Sequence, residues 1–238
     1  MRYVLDLGCG HGTSSAAELE TAAREWMSAG PGDSQMVGID INLEVLRNEK
    51  RSAPELGFVC ARGERLPFQN DAFDLVISVV AMPYMDIPRT LRELHRVLKP
   101  GGQLRIKVHP LSFTWSELNR ELRTGPLWQR AVNLVYRLYV VTNGITLRLF
   151  GFNFRFPFAR RRCESFQTRH SIRRAFKAAG FDKINTSCWV TKIVGRHAGN
   201  CRAVASKMEC DPTDGKRQDT YREQVYSESH GQSSGRAL

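Results

Sequence analysis

Short apolar runs of strand length alternate with helix-spaced segments over the first 110 residues. Tyr3 to Leu7 is apolar apart from Asp6, the pattern of a strand covered on both faces, and a carboxylate held there needs a polar partner. The run feeds Gly8-Cys9-Gly10-His11-Gly12, where alternate glycines let the backbone turn at positive φ and approach a ligand with no Cβ in the way. Thr13, Ser14 or Ser15 can then cap a helix over Ser14 to Ser28, whose free N–H groups face the same cavity, and Ala29 to Asp33 is a run of turn residues that ends it. Met36 to Ile41 reads as a second strand, Asn42 to Lys50 as a helix, Gly57 to Ala61 as a third strand and Leu75 to Val80 as a fourth. Leu91, Leu94, Val97 and Leu98 recur at helical spacing, Lys99-Pro100-Gly101-Gly102 stops that helix, and Gln103 to Val108 is a fifth strand. Strand and helix in alternation predict an α/β chain with a doubly wound sheet and a ligand edge at the carboxyl ends of its strands.

Past residue 110 the pattern changes, and residues 111–165 read as an insertion. Leu127, Trp128, Ala131, Val132, Leu134, Val135, Leu138 and Tyr139 recur at helical spacing after Gly125-Pro126, giving an amphipathic helix preceded by another over Ser116 to Arg123. Phe150, Phe152, Phe154, Phe156 and Phe158 then alternate with smaller or polar residues, which would put five rings on one face of an extended segment, mostly as core with one or two bordering a pocket. Arg160-Arg161-Arg162 follows directly and can neutralise an anion, although a basic run of this kind is commonly just solvated. A basic helix over Thr168 to Gly180 leads to strands over Phe181 to Val190 and Arg202 to Lys207. Residues 209–238 are polar and poor in large apolar side chains, the composition of a disordered tail.

Composition narrows the classes. At 238 residues and 42% hydrophobic content, one main domain with a full core is expected. The six cysteines lie far apart with no C-x-x-C pair and no metal-ligand spacing, which points to reduced thiols and a cytoplasmic protein. No apolar run reaches the ~20 residues of a membrane span, because Arg137 and Asn143 interrupt the best one. The formal charge of +11 is unevenly placed: residues 101–208 hold 20 basic against 4 acidic side chains, while residues 1–100 hold 11 against 14. An anionic partner, whether nucleic acid, acidic small molecule or membrane surface, should therefore meet the second half.

The glycine spacing discriminates between cofactors. A dinucleotide fingerprint places its third glycine one residue later, where this chain has Thr13. Asp6-x-Gly8-x-Gly10-x-Gly12, Arg62-Gly63-Glu64-Arg65-Leu66-Pro67-Phe68, Phe73-Asp74-Leu75-Val76 and Leu98-Lys99-Pro100-Gly101-Gly102 occur in that order, and together they resemble the class I S-adenosylmethionine-dependent methyltransferases, in particular a small-molecule, type 11-like subgroup. The resemblance implies a Rossmann-like sheet, mostly parallel with an antiparallel last strand, in which residues 1–110 and 166–208 form the core and residues 111–165 an inserted helical and aromatic lid. It implies S-adenosyl-L-methionine as cofactor, with Asp6, Gly8, Cys9, Gly10 and Gly12 at its methionine half. Asp40 and Ile41 would stand at the ribose, Arg62, Gly63 and Glu64 at the adenine, and Ser78 in the floor. A carboxylate at the tip of a second strand suits the two hydroxyls of a ribose; the other reading of Asp40 is a cap for the next helix. The chain departs from the family at Arg62, where an aspartate usually accepts from adenine and a guanidinium has only donors, so Glu64 or a backbone carbonyl would substitute.

The resemblance also implies methyl transfer to an O, N or C atom of a small apolar or anionic metabolite. If the acceptor must lose a proton, His109, at the end of the fifth strand, is the first candidate base and Tyr84 the second. Met82, Pro83, Tyr84 and Met85 either line the site or pack on the next helix, and His95 reads as a solvated surface residue. Two alternatives stand beside this one. An RNA methyltransferase would use the basic second half. A non-catalytic S-adenosylmethionine-binding scaffold is pointed to by Arg62 and by the lack of a covering helix ahead of the first strand.

Overall fold

The computed structural model describes residues 1–10, 34–108, 118–153, 165–193 and 196–208. Its centre is a sheet of seven strands in the order β3-β2-β1-β4-β5-β7-β6. β1 (Arg2–Leu7) pairs in parallel with β2 (Ser34–Asp40) on one side and β4 (Phe73–Val79) on the other. β3 (Gly57–Cys60) extends the sheet beyond β2, also in parallel. β5 (Leu98–Val108) continues it beyond β4, and β7 (Arg196–Lys207) lies antiparallel between β5 and β6 (Phe181–Ile193). The architecture is therefore the α/β, mostly parallel sheet expected, with one strand reversed. The final hairpin is longer than the apolar pattern marks, because backbone pairing continues through polar residues as far as Ile193 and Arg196.

The central strands are apolar because both faces are covered: Val4, Leu5, Leu7, Leu75, Val76 and Ile77 are fully buried. Their entry ends are joined by Asp74, whose Oδ2 accepts from Tyr3 N at 2.8 Å and from Lys99 Nζ at 2.7 Å. The Lys-Pro-Gly-Gly stretch expected as a stop is instead an irregularity inside β5: Phe73 pairs with Leu98 but Leu75 with Gln103, so three residues bulge out of register.

Beside a helical stretch at residues 118–123, four longer helices carry the layers. α1 (Leu43–Ser52) is capped by Asn42, whose side chain accepts from the amides of Glu44 and Val45. α2 (Ile87–Val97) starts three residues ahead of Thr90, with Asp86 as N-cap and Pro88 in its first turn, and buries Leu91, Leu94 and Val97. α4 (Arg169–Ala178) opens on a reciprocal capping box between Thr168 and Ser171 and sets Phe176 edge-on to Phe181, centroids 5.4 Å apart. His95 is not a solvated residue: it sits edge-on to Phe181 at 5.1 Å, against Gly180, where burial and the nearby Lys207 lower its pKa.

α3 (Leu127–Phe150) departs most from expectation. It runs on past Tyr139, so Phe150 is the last helical residue rather than the start of an extended run, and Gly151 ends it at φ +78°. Its apolar stripe faces outward. Leu127, Trp128 and Val135 are 81%, 69% and 66% exposed, whereas the buried side holds Arg137, Val140, Asn143, Gly144 and Leu147. Arg137 forms a two-point pair with Glu121, at 2.9 and 2.6 Å, and Gly144 lets the ring of Phe166 lie directly on the helix. Spacing tells which residues share a face but not which face meets the protein. Phe154, Phe156, Phe158, Arg160, Arg161 and Arg162, the helix over residues 14–28 and the tail 209–238 lie outside the described residues.

Candidate active site

The carboxyl tips of β1, β2 and β3 are tied into one edge by the glycine turn. The amides of Gly8 and Cys9 both donate to the carbonyl of Ile39, at 2.7 and 3.0 Å, and the amide of Ala61 donates to the carbonyl of Asp40 at 3.1 Å. The Asp40 carboxylate turns back toward the same turn: Oδ2 accepts from Gly10 N at 3.2 Å and Oδ1 from Asn42 N at 2.9 Å. The cap of α1 is Asn42, so the helix does not consume Asp40. Each Asp40 oxygen keeps a free lone pair for a hydroxyl donor. Ile41, next in the chain, is 62% exposed, and its carbonyl accepts from Cys60 Sγ at 3.6 Å.

Gly8 and Gly63 explain how the cover over this edge fits. Gly8 has φ +73°, and a Cβ there would overlap the Cβ of Ala81. A Cβ on Gly63 would stand 2.7 Å from Met85 Sδ and 3.3 Å from Leu7 Cδ1. The loop beyond β4 thus seats on both turns. Within it the two readings divide by residue: Met82 and Pro83 are buried as packing, Met85 is half-buried between the two glycines, and Tyr84 is 39% exposed in a short 3₁₀ turn. At Gly10, by contrast, a Cβ would meet nothing among the described residues nearer than Gly8 O at 3.8 Å.

The remaining expected residues are placed as follows. Arg65 N closes a turn onto Arg62 O at 3.1 Å, and the Arg62 guanidinium lies 3.6 Å from Glu64 Oε2 on the exposed side. Glu64 Oε1 accepts from Asp86 N at 3.2 Å, which ties this turn to the start of α2. Ser78 is fully buried and donates to the carbonyl of Leu7 at 3.0 Å, locking β4 to β1. The Cys9 thiol lies against Gly38; burial, and after it the charges of Asp6 and Asp40, push its pKa up to about 12. It is therefore a neutral thiol at pH 7 and no nucleophile. Asp6 is half-buried beside it. Gly12 and His109 lie outside the described residues.

Four contributors carry no sequence signal of their own. Arg96 donates to the carbonyls of Leu66 and Phe68 at 3.0 and 2.8 Å and pairs with Glu93, which accepts from Leu66 N at 2.9 Å, so one guanidinium holds the Leu-Pro-Phe segment in place. Asn153 Oδ1 accepts from Ile87 N at 3.1 Å and its Nδ2 donates to Ser165 Oγ at 3.3 Å, while Ser165 N donates to Pro83 O at 3.0 Å. Asn153 is thereby fastened to the start of α2 and Ser165 to the loop that covers the glycine turn. Ala81 matters because it is small enough to sit on Gly8.

Strand order, one reversed strand and an acid-bearing second strand facing a glycine turn define the class I methyltransferase fold. A family model described as a methyltransferase domain matches residues 5–106, and the chain carries a class I S-adenosylmethionine-dependent methyltransferase domain of the type 11 kind. The chain is 34% identical over 141 residues to malonyl-[acyl-carrier protein] O-methyltransferase of Herminiimonas arsenicoxydans, covering 56% of this chain and 50% of that protein. It is 34% identical over 121 residues to demethylmenaquinone methyltransferase of Paenarthrobacter aurescens, covering 50% and 44%. It thus spans half or less of the length of these relatives. A solved SAM-dependent methyltransferase from Methanosarcina mazei superposes with a TM-score of 0.52 at 20% identity, covering 87% and 93% of the two chains, a likeness of fold. The cofactor of the family is S-adenosylmethionine, and the positive-φ turn at Gly8 and Gly10, the Asp40 carboxylate turned toward it and the exposed Ile41 fit such a group. No described helix is long and apolar enough to cross a membrane.

Proposed function

We propose that this protein transfers a methyl group from S-adenosylmethionine to an O, N or C atom of a small apolar or anionic metabolite in the cytoplasm. The observation that carries the reading is the Asp40 carboxylate turned onto the glycine turn, 3.2 Å from Gly10 N, at the tip of a 3-2-1-4-5-7-6 sheet. The cofactor supplies a methyl group already activated by the sulfonium charge, so the protein's work is alignment and exclusion of water. Asp6 and the turn Gly8-Cys9-Gly10-Gly12 hold the amino-acid end. Asp40 takes the ribose hydroxyls, and Ile41 offers an apolar face to the base. The Arg62-Gly63-Glu64 turn borders the adenine edge, where Glu64, held in place by Asp86 N, or a backbone carbonyl stands in for the usual aspartate. Ser78 keeps the floor rigid by locking β4 to β1. Met85 and Tyr84 close the near side, and residues 111–165 recognise the acceptor, a role supported by their attachment through Asn153 and Ser165 to the start of α2 and the covering loop. His109, with Tyr84 second, removes a proton if the acceptor requires it.

Calorimetry tests the cofactor. S-adenosylmethionine and its demethylated product should bind in the micromolar range, and Asp40→Ala should weaken both by about tenfold or more through loss of charge-assisted hydrogen bonds. Binding of NADH in their place would overturn the reading. The acceptor is then found by mass spectrometry of extract metabolites that gain one methyl group when enzyme and donor are added.

A further inference from the structure

We propose that the outward face of α3 lies on the surface of an anionic lipid bilayer. The inference rests on the helix alone and is independent of the reaction above. Trp128, Val132, Val135, Leu138, Leu149 and Phe150 are all more than half exposed and form one stripe along the helix. Isolated exposed apolar residues are ordinary, but a continuous stripe over a helix of 24 residues marks a face that meets something. The inner side explains why the helix lies flat rather than crossing: Arg137, paired with Glu121, and the fully buried Asn143 face the protein, and no described helix can span a membrane. An aromatic and aliphatic face bordered by cations is the composition of an interfacial helix.

The charge decides the occupant. α3 contains Arg130, Arg137 and Arg148 and no acidic residue; Arg137 is buried against Glu121, which leaves the half-buried Arg130 and the exposed Arg148 for an anionic surface. Beside its carboxyl end α4 exposes Arg169, Arg173, Arg174 and Lys177. Arg174 fixes that placement by donating to the carbonyls of Arg148 and Leu149, both at 3.1 Å. Where the two helices meet, a cavity of about 240 Å³ is lined by Leu147 and Phe150 on one side and Arg92 and Arg174 on the other, so guanidinium groups stand at the foot of the apolar stripe. A second copy of the chain would bring the same cations face to face across a two-fold interface. RNA would meet the arginines but leave the apolar stripe in water. Anionic headgroups over an acyl layer satisfy both at once.

The test is flotation of the full chain with vesicles of phosphatidylcholine, with and without about 30% phosphatidylglycerol, at low and high salt. Binding to the anionic vesicles with a blue shift of Trp128 emission, read as the difference from Trp128→Phe, is the expected result. The triple variant Val132→Ser, Val135→Ser, Leu138→Ser should lower the partition coefficient by about tenfold or more while its circular dichroism stays that of the wild type, since these side chains are already in solvent. Arg173→Glu with Lys177→Glu should remove most of the salt dependence. No flotation at low salt, or a triple variant that floats as well as wild type, overturns the proposal. So does a dimer in light scattering that the triple variant dissociates while vesicles go unbound, or binding to RNA that the triple variant keeps in a protein that ignores vesicles.

Discussion

The glycine edge and α3 both end in apolar residues near solvent, yet they are built in opposite ways. At the edge of β1 and β2 every described amide of the turn has a partner at fixed distance, on Ile39 or Asp40. In α3 the inward side mixes Arg137 and Asn143 with Val140 and Leu147, while a run of large apolar side chains is turned out. The first arrangement satisfies its own described backbone donors. The second is incomplete by itself. A motif can encode the first because its partners lie on the neighbouring strand tip, whereas the sense of the second is set by what surrounds the protein.

The largest expected effect bears on the edge. Gly8→Val should destabilise the fold by about 4 kcal/mol in urea titration, because the side chain would overlap Ala81 and sit at φ +73°. Gly10→Ala, at φ +48° with no described atom nearer than 3.8 Å, should cost only about 1 kcal/mol. Equal costs would show that the edge is not seated on Ala81.

Next comes the inner side of α3. Glu121→Ala removes the two-point carboxylate pair of the buried Arg137 guanidinium, a loss of about 3 kcal/mol that the double replacement Glu121→Leu, Arg137→Met should largely recover. Serine at Val135 on the outer stripe should change stability by about 0.5 kcal/mol, since that side chain is 66% exposed and gives up little burial. Similar costs on both sides would erase the contrast between them.

Arg96→Ala should cost about 2 kcal/mol and loosen the Leu66 to Phe68 segment, and Arg96→Lys should not restore it because one ammonium cannot reach two carbonyls and a carboxylate together. The Arg96 hydrogen bond also lowers the Glu93 pKa from its usual 4.5. A carboxyl depressed in the folded state adds stability above its unfolded pKa and loses it as pH falls through the folded one, so the melting temperature should drop below about pH 4.5, less steeply in Arg96→Ala.

The smallest effect is that of His95. Its pKa is lowered by burial and by Lys207, so the unfolded chain takes up a proton first. Stability should therefore fall as pH drops below the ordinary 6.5, and His95→Phe should flatten that slope in melting curves between pH 7 and 5.

Strands β1 to β5 and the faces of α2 and α4 were legible because apolar spacing and a matching turn coincide there: Leu91, Leu94 and Val97 are buried as their spacing requires, and Gly180 follows α4 at φ +89°. Asp40 was legible as an acid at a strand tip. Arg96 was not, since its partners are backbone carbonyls 28 and 30 residues away and any residue type supplies those. The sense of α3 was hidden for another reason. Its periodicity is that of an ordinary core helix, and only the Arg137–Glu121 pair and the buried Asn143 reveal which side is the inner one. The Phe150 to Phe158 alternation misled because Phe150 obeys the helix behind it rather than the run ahead.

A helix of 24 residues is a rod of about 36 Å. Just beyond one end of that rod, Asn153 grips the first turn of the helix after the cover loop, and Ser165 grips the loop itself. Asn153 and Ser165 therefore attach at Ile87 and Pro83, on either side of Met85, the methionine that rests on both glycine turns, so the end of the rod is anchored beside the mouth of the crevice.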